Sequence, residues 1–196
     1  MPPAEAVMGA LKPGALEDRW DGSMPRLDRV ATLVRAVGVV AACVLLPAQI
    51  VLGVGYVLAR RFLSFPLTPF QELEWHLFFA LVFLTLGSAY LADRHVRIDI
   101  VRDRLSLRTQ AVIEIGGFLI ALLPFCLIII YLGTVSVWDA FMLSERSRAP
   151  LGLPHRWIIK SMIPIGAALL LLAGAVITLR NLTLALRPQR EDPPSA

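Results

Sequence analysis

Apolar and polar positions alternate along the chain in long blocks. Four apolar runs, Ala36 to Ala59, Phe70 to Ala92, Ala111 to about Val137 and Trp157 to Leu179, are separated by short polar segments. A membrane-crossing helix needs about 20 mostly apolar residues, so each run predicts one span. The apolar centre of the second run, from Leu77, is shorter than that, so it crosses only if Glu72, Glu74 and His76 sit at the interface. Its start is well marked: Thr68 as N-cap, Pro69 as first helical residue and Gln71 closing a capping box. Ahead of the first run a helix can begin near Ser23 with Pro25 in its first turn. There Leu27, Val30, Ala31 and Val34 share one face and Asp28, Thr32 and Arg35 another, which predicts an amphipathic stretch on the membrane surface. Between the second and third runs, DRHVRIDIVRDRLSLRTQ (residues 93–110) places Ile98, Val101 and Leu105 on one helical face with Arg97 and Arg104 beside it. That predicts an interfacial helix over about 94–106, its arginines near lipid phosphates. Residues 1–22 and 188–196 read as flexible tails, and 23–187 as one all-α membrane domain.

Polar and small residues inside the runs carry further expectations. Pro47 predicts a kink in the first span, and Gln49 beside it an interhelical hydrogen bond. Glu114, one turn into the third span, is placed to reach the interface or pair with an arginine of the preceding segment. Gly53, Gly116, Gly117 and Gly174 are candidates for close helix contact. The third and fourth spans are joined by residues 138–156, which hold Glu145, Arg146, Arg148 and the turn Pro150-Leu151-Gly152-Leu153-Pro154. Lys160 and Pro164 lie in the opening turns of the fourth span, and Asn181 to Leu186 can continue it.

Composition narrows the class. The chain is 57% apolar and only 17% charged, against about half and a quarter for a soluble domain. That excludes a soluble enzyme, a disordered protein and a disulfide-stapled secreted domain. Four spans and short connections leave no room for a second domain. The first 24 residues contain Glu5, Glu17, Asp18 and Asp21 and no apolar core of a signal peptide, so the first span is expected to be retained. Lys and Arg number 19 in all. Thirteen lie in the N-terminal region, residues 93–110 and the C-terminal region, and six in the other two connections with the adjoining ends of spans. The excess predicts cytoplasmic termini and an outward-facing 138–156 connection. The net charge of +4 reports orientation and gives no reason to invoke nucleic acid.

Catalytic chemistry finds little support. Cys43 and Cys126 both lie in apolar runs, without a CxxC pair or metal spacing. His76, His95 and His155 lie at span ends or in connections, unlike haem ligands. No charge stands in mid-span, where ion-coupled carriers usually place one. Such a chain fits a subunit of a larger assembly better than an enzyme or a lone transporter.

Two segments carry a family resemblance. DRHVRIDIVRDRLS (Asp93–Ser106) resembles the signature segment of the small, DctQ-type membrane subunit of tripartite ATP-independent periplasmic (TRAP) transporters. GLPHRWIIKSMIPIG (Gly152–Gly166) resembles that family's entry to its fourth span. Within the family the wording is most similar to the mannitol/chloroaromatic branch, whose members are associated with carboxylates such as 2-oxoacids.

The resemblance implies a multi-pass protein of the bacterial inner membrane and a static role. In these systems a soluble periplasmic protein captures an organic acid and docks on a membrane pair. The large subunit holds the substrate and sodium sites and moves as an elevator, while the small one braces it and offers part of the docking surface. No cofactor is implied in the small subunit, though bound phospholipid is a candidate. His95, Arg97 and Asp99, with Arg102 and Arg104, match the inner motif and are expected to contact the large subunit or a lipid phosphate, or to form a network within the chain. Gly152, Leu153, Pro154, Arg156, Trp157 and Lys160 match the outer motif, expected as a docking contact or as a span entrance with interfacial Trp and cations. Glu145 fits the family pattern. Arg146 and Arg148 stand where the family often carries small or acidic residues, which predicts an acidic patch on the matching binding protein.

A second class remains open on the residues alone. A small homo-oligomeric carrier using Glu72, Glu74 or His76 as its proton group would need one of them in a watered cavity. It would transport by itself in liposomes, and a scaffold subunit would not.

Overall fold

The computed structural model of the protein describes residues 24–62, 68–92, 107–149 and 152–186. The tails, His95, Arg97, Asp99, Arg102, Arg104 and the expected interfacial helix lie outside the described residues. Four helices form the fold: α1 (Pro25–Phe62), α2 (Thr68–Leu91), α3 (Leu107 to Met142, with a π-helical turn at Phe118–Leu122) and α4 (Arg156–Leu186). All four are long and apolar enough to cross a membrane. They run antiparallel in sequence order. One end of the bundle carries the α1–α2 and α3–α4 connections (the loop end), and the other the start of α1 and the end of α4 (the termini end).

α4 is central. It packs against α2 and α3, and near its C-terminal end against α1, while α1 otherwise lies on α2. Its most apolar stretch is 33% buried, against 11% for α1, 6% for α2 and 11% for α3. Small residues make this position available. A Cβ on Gly166 would stand 2.7 Å from the Phe83 ring and backbone oxygen of α2. On the α3 side, a Cβ on Gly174 would stand 2.7 Å from the Phe118 ring, and one on Gly133 would stand 3.1 Å from Pro164. Gly174 is thus a close contact. A Cβ at Gly116 or Gly117 would meet nothing within 4 Å, so those two do not mediate packing within the chain. Close crossings also occur at Gly38, against the Ser88 side chain, and at Gly87, against the Leu169 backbone.

The first turns of α1 differ from expectation. The apolar face of Leu27, Val30, Ala31 and Val34 is there, but α1 continues without a break for 38 residues, about 57 Å. That face is covered by protein: Ala31 and Val34 cluster with Leu91, Leu169, Ala173, Val176 and Ile177 of α2 and α4. Burial against α4 replaces the lipid surface that an isolated amphipathic stretch would seek. Pro47 lies inside the continuous helix. The side-chain oxygen of Gln49 is buried and makes no hydrogen bond among the described residues, in place of the expected interhelical bond.

The π-helical turn of α3 has a local cause. Pro124 has no N–H to return to the Ile120 carbonyl. The Leu123 N–H bonds instead to Phe118 O, five residues back. The widened turn directs Phe118 into the space over Gly174, where it is 8% exposed. α3 also continues past the apolar run to Met142, so Trp138 and Asp139 are helical. Hydroxyls within the helices are satisfied locally, as Thr85 to Leu81 O and Thr134 to Ile130 O, each at 2.7 Å.

Candidate functional site

A set of joined polar side chains lies at the loop end. It begins with the way α3 stops. The Ser144 N–H donates to Phe141 O at 3.1 Å and the Glu145 N–H to Ala140 O at 2.9 Å. These are the paired bonds of a Schellman ending, with Ser144 at φ 47° in the left-handed position that glycine usually holds. The chain then leaves the helix without regular structure and bends at Arg148 and Ala149. Glu145, Ser147 and Ala149 are partly buried, and Arg146 and Arg148 are exposed. Exposure thus alternates along the segment: two anchoring side chains turn inward and two guanidinium groups outward.

The inward side is fixed from two helices. Glu145 accepts from Arg156 Nη1 at 3.2 Å and Lys160 Nζ at 2.5 Å, both from the first turns of α4. Residues 156 and 160 are one helical turn apart, so a single carboxylate serves both. The hydrogen bond from Lys160 is the largest influence and, helped by the charges of Lys160, Arg156 and Arg148, it outweighs the opposing desolvation and holds the Glu145 carboxyl below the usual carboxylate range. Glu72, from the second turn of α2, reaches the same loop. One oxygen accepts from the Ser147 hydroxyl, and the other accepts from the Leu153 N–H at 2.7 Å. Backbone bonds close the loop on itself: Ser147 N–H to Leu153 O at 3.2 Å, Gly152 N–H to Ala149 O at 3.0 Å and Arg156 N–H to Glu145 O at 3.2 Å. Gly152 is required by close approach, since a Cβ there would stand 2.4 Å from Ser147 Cβ and 2.9 Å from the Glu72 carboxylate.

Below the loop lies an aromatic layer. The Trp157 ring meets Phe141 edge-on at 5.6 Å, and Phe141 lies 6.5 Å from Trp138. Trp at this position marks headgroup depth in a membrane. Of the outer-motif residues, Arg156 and Lys160 are thus paired to Glu145, Trp157 is in the aromatic layer, Leu153 and Gly152 belong to the loop closure, and Pro154 is exposed beside His155 at φ 62°.

The three candidate proton groups separate. Glu72 is held by the loop. His76 uses Nδ1 on Glu72 O, 2.5 Å away and one turn back. The Glu74 carboxylate lies over α1, 3.1 Å from where a Cβ on Gly53 would stand. The contact of Glu72 with residues 75 and 81 positions later has no local sequence signal. The Arg156/Lys160 pair did carry one, since two cations one turn apart beside a loop acid call for a shared partner.

At the termini end, Arg180 donates to Asp28 at 2.5 Å, tying α4 to the start of α1. The buried Asn181 donates to Glu114, tying α4 to α3. No group of three or more metal-ligating side chains occurs among the described residues.

Comparison with known families decides the class. The family model described as "Tripartite ATP-independent periplasmic transporters, DctQ component" matches residues 49–184, well over half of the chain. The chain belongs to this family. The DctQ match runs from the middle of α1 to the end of α4 and so takes in the whole loop-end site. The search of curated proteins finds no match. DctQ proteins are the small components of TRAP transporters, which also contain a large membrane subunit and a periplasmic binding protein, so this is a multi-pass transporter component and not an enzyme.

Proposed function

We propose that this DctQ chain is the static scaffold of a sodium-coupled, binding-protein-dependent importer of organic acids in the bacterial inner membrane. Carboxylates, 2-oxoacids among them, are the substrate class. The large subunit holds the substrate and sodium sites and moves as the elevator, and this chain braces it. The chain itself carries no cofactor, and its headgroup-level cations offer contacts for phospholipid. The termini face the cytoplasm and the loop end faces the periplasm, where the binding protein docks.

The observation that carries the static role is the use made of Glu72. A proton carrier needs an acid that changes partners during a cycle. Here that acid is bound to a hydroxyl and a backbone N–H of a closed loop. A rigid partner suits an elevator, because the moving part can only be displaced against something that stays put.

The test is reconstitution. The chain alone in liposomes, with a sodium or proton gradient and a radiolabelled carboxylate, is expected to show no uptake. Addition of the large subunit and loaded binding protein restores it only with a sodium gradient. Uptake by the chain alone overturns the scaffold reading and returns Glu74 and His76 to consideration as proton groups.

A further inference from the structure

The loop end displays an arrangement beyond that of a plain span entrance. Every acid of the 145–155 loop and the one that reaches it from α2 are turned inward and occupied. Glu145 is paired to Arg156 and Lys160, and Glu72 to Ser147 and Leu153. The two side chains left on the outward side of the 145–149 segment are Arg146 and Arg148, both exposed. The segment is bonded at residues 145, 147 and 149, so its backbone is fixed at every second position. A fixed backbone loses little freedom when something binds to it, and affinity rises for that reason.

We propose that Glu72 is a positioning residue for a two-arginine docking arm. By holding Ser147 and Leu153, it fixes the 145–149 segment and aims Arg146 and Arg148 at an acidic surface of the soluble binding protein. This rests on the scaffold reading above and deepens it. Charge selects the occupant: two guanidinium groups on successive outward positions fit carboxylates by forked hydrogen bonds. The location favours a soluble protein over lipid. Trp138, Phe141 and Trp157 mark headgroup depth, and the cations at that depth, Arg156 and Lys160, are the ones already paired. The arm continues beyond the end of α3, past that layer. A device of this kind makes the periplasmic surface depend on an acid in a membrane helix. Displacement of α2 relative to α4 would therefore alter the docking surface as well.

The experiment uses the co-purified pair of small and large subunits in nanodiscs of phosphatidylcholine, with and without phosphatidylglycerol, and the soluble binding protein as titrant, across a salt series. Arg146→Glu with Arg148→Glu is expected to slow association at least about tenfold at low salt, the difference shrinking as salt rises. Glu72→Gln keeps both arginines but breaks the charge-assisted hold. It is expected to weaken binding about fivefold, through faster dissociation with the salt slope retained. Ser147→Ala, outside the membrane helices, removes one partner of Glu72 together with the acceptor of the Ala149 N–H and is expected to act in the same direction, so failure of Glu72→Gln to assemble does not leave the idea untested. Normal affinity in Glu72→Gln and Ser147→Ala, with loss in the arginine variant, overturns the positioning role. Normal affinity in the arginine variant overturns the docking arm while leaving the scaffold reading intact. Loss that occurs only when phosphatidylglycerol is present assigns the arginines to lipid and overturns the arm. Failure of the wild-type chain to co-purify with a large subunit is the separate result that would remove the scaffold reading itself.

Discussion

Gly87 sits where three helices meet, and an alanine there measures how rigid the crossing is. A Cβ at Gly87 would stand 2.7 Å from Leu169 O, 2.8 Å from Leu169 C and 3.0 Å from Val34 Cγ1. Ordinary contact begins at 3.4 Å, so α2 and α4 must part by about 0.7 Å, and two of the three opposing atoms are backbone of a packed helix. No side chain can rotate away to relieve them. Overpacking of this kind costs about 1–3 kcal/mol. Gly116→Ala is the natural partner variant, because a Cβ there meets nothing within 4 Å. A helical Gly→Ala change without a clash stabilises by about 0.5–1 kcal/mol. For a chain of this size each kcal/mol moves the midpoint by about 2–4 °C. Thermal unfolding in one mild detergent, followed by tryptophan fluorescence, is therefore expected to fall for Gly87→Ala and to rise slightly for Gly116→Ala. Shifts of the same sign, or no loss at Gly87, would refute the packing argument, because the two sites differ mainly in what a Cβ would touch.

Other outcomes follow from the two polar ends. Ser144→Gly relieves a left-handed serine at the end of α3 and is expected to stabilise by about 0.5–1 kcal/mol, read as a raised midpoint. Gly152→Ala places a Cβ 2.4 Å from Ser147 Cβ and is expected to open the loop, speeding tryptic cleavage at Arg146 and Arg148 severalfold in right-side-out membranes; unchanged cleavage counts against the closed loop. Glu145 is held below the ordinary carboxylate value by Lys160, so its contribution is fully present above the unfolded value of about 4.3. It is lost as pH falls through the lower folded value. Hydrogen exchange of residues 145–156 should accordingly rise only in acid, and Lys160→Met should move that rise to higher pH. Asp28→Asn removes the carboxylate that Arg180, whose side chain is 11% exposed, bonds at the start of α1. A loss of roughly 1–2 kcal/mol is expected, discounted for the half-exposed Asp28, and it should be recovered by the charge swap of Asp28→Arg with Arg180→Asp.

The sequence and the structure part company where tertiary contact decides. The four apolar runs specify the four helices, since length and composition alone set whether a segment can cross a membrane. The apolar face of residues 27–34 was legible as a face, but its cover was not: lipid and a neighbouring helix ask for the same residues. Glycines pose the same difficulty. Gly174 and Gly116 look alike in sequence, and only the presence of Phe118 across the interface separates them. The π-helical turn follows from Pro124 once the structure is known, yet Pro47 and Pro164 sit within continuous α-helix, so proline alone does not foretell it. In the candidate site, the motif residues Gly152 to Lys160 were readable as a unit. Glu72 was readable as an interfacial acid, while its hold on Ser147 and Leu153 depends on how α2 meets α4. The charged segment over residues 93–106 lies outside the described residues, and its assignment to subunit or lipid contact rests on the family resemblance.

The scaffold reading is most directly tested by isolating the tagged chain from native host membranes in mild detergent and identifying what comes with it by mass spectrometry. A large multi-span membrane protein recovered in stoichiometric amount is the expected result. Recovery of this chain alone, stable and homo-oligomeric, would contradict it.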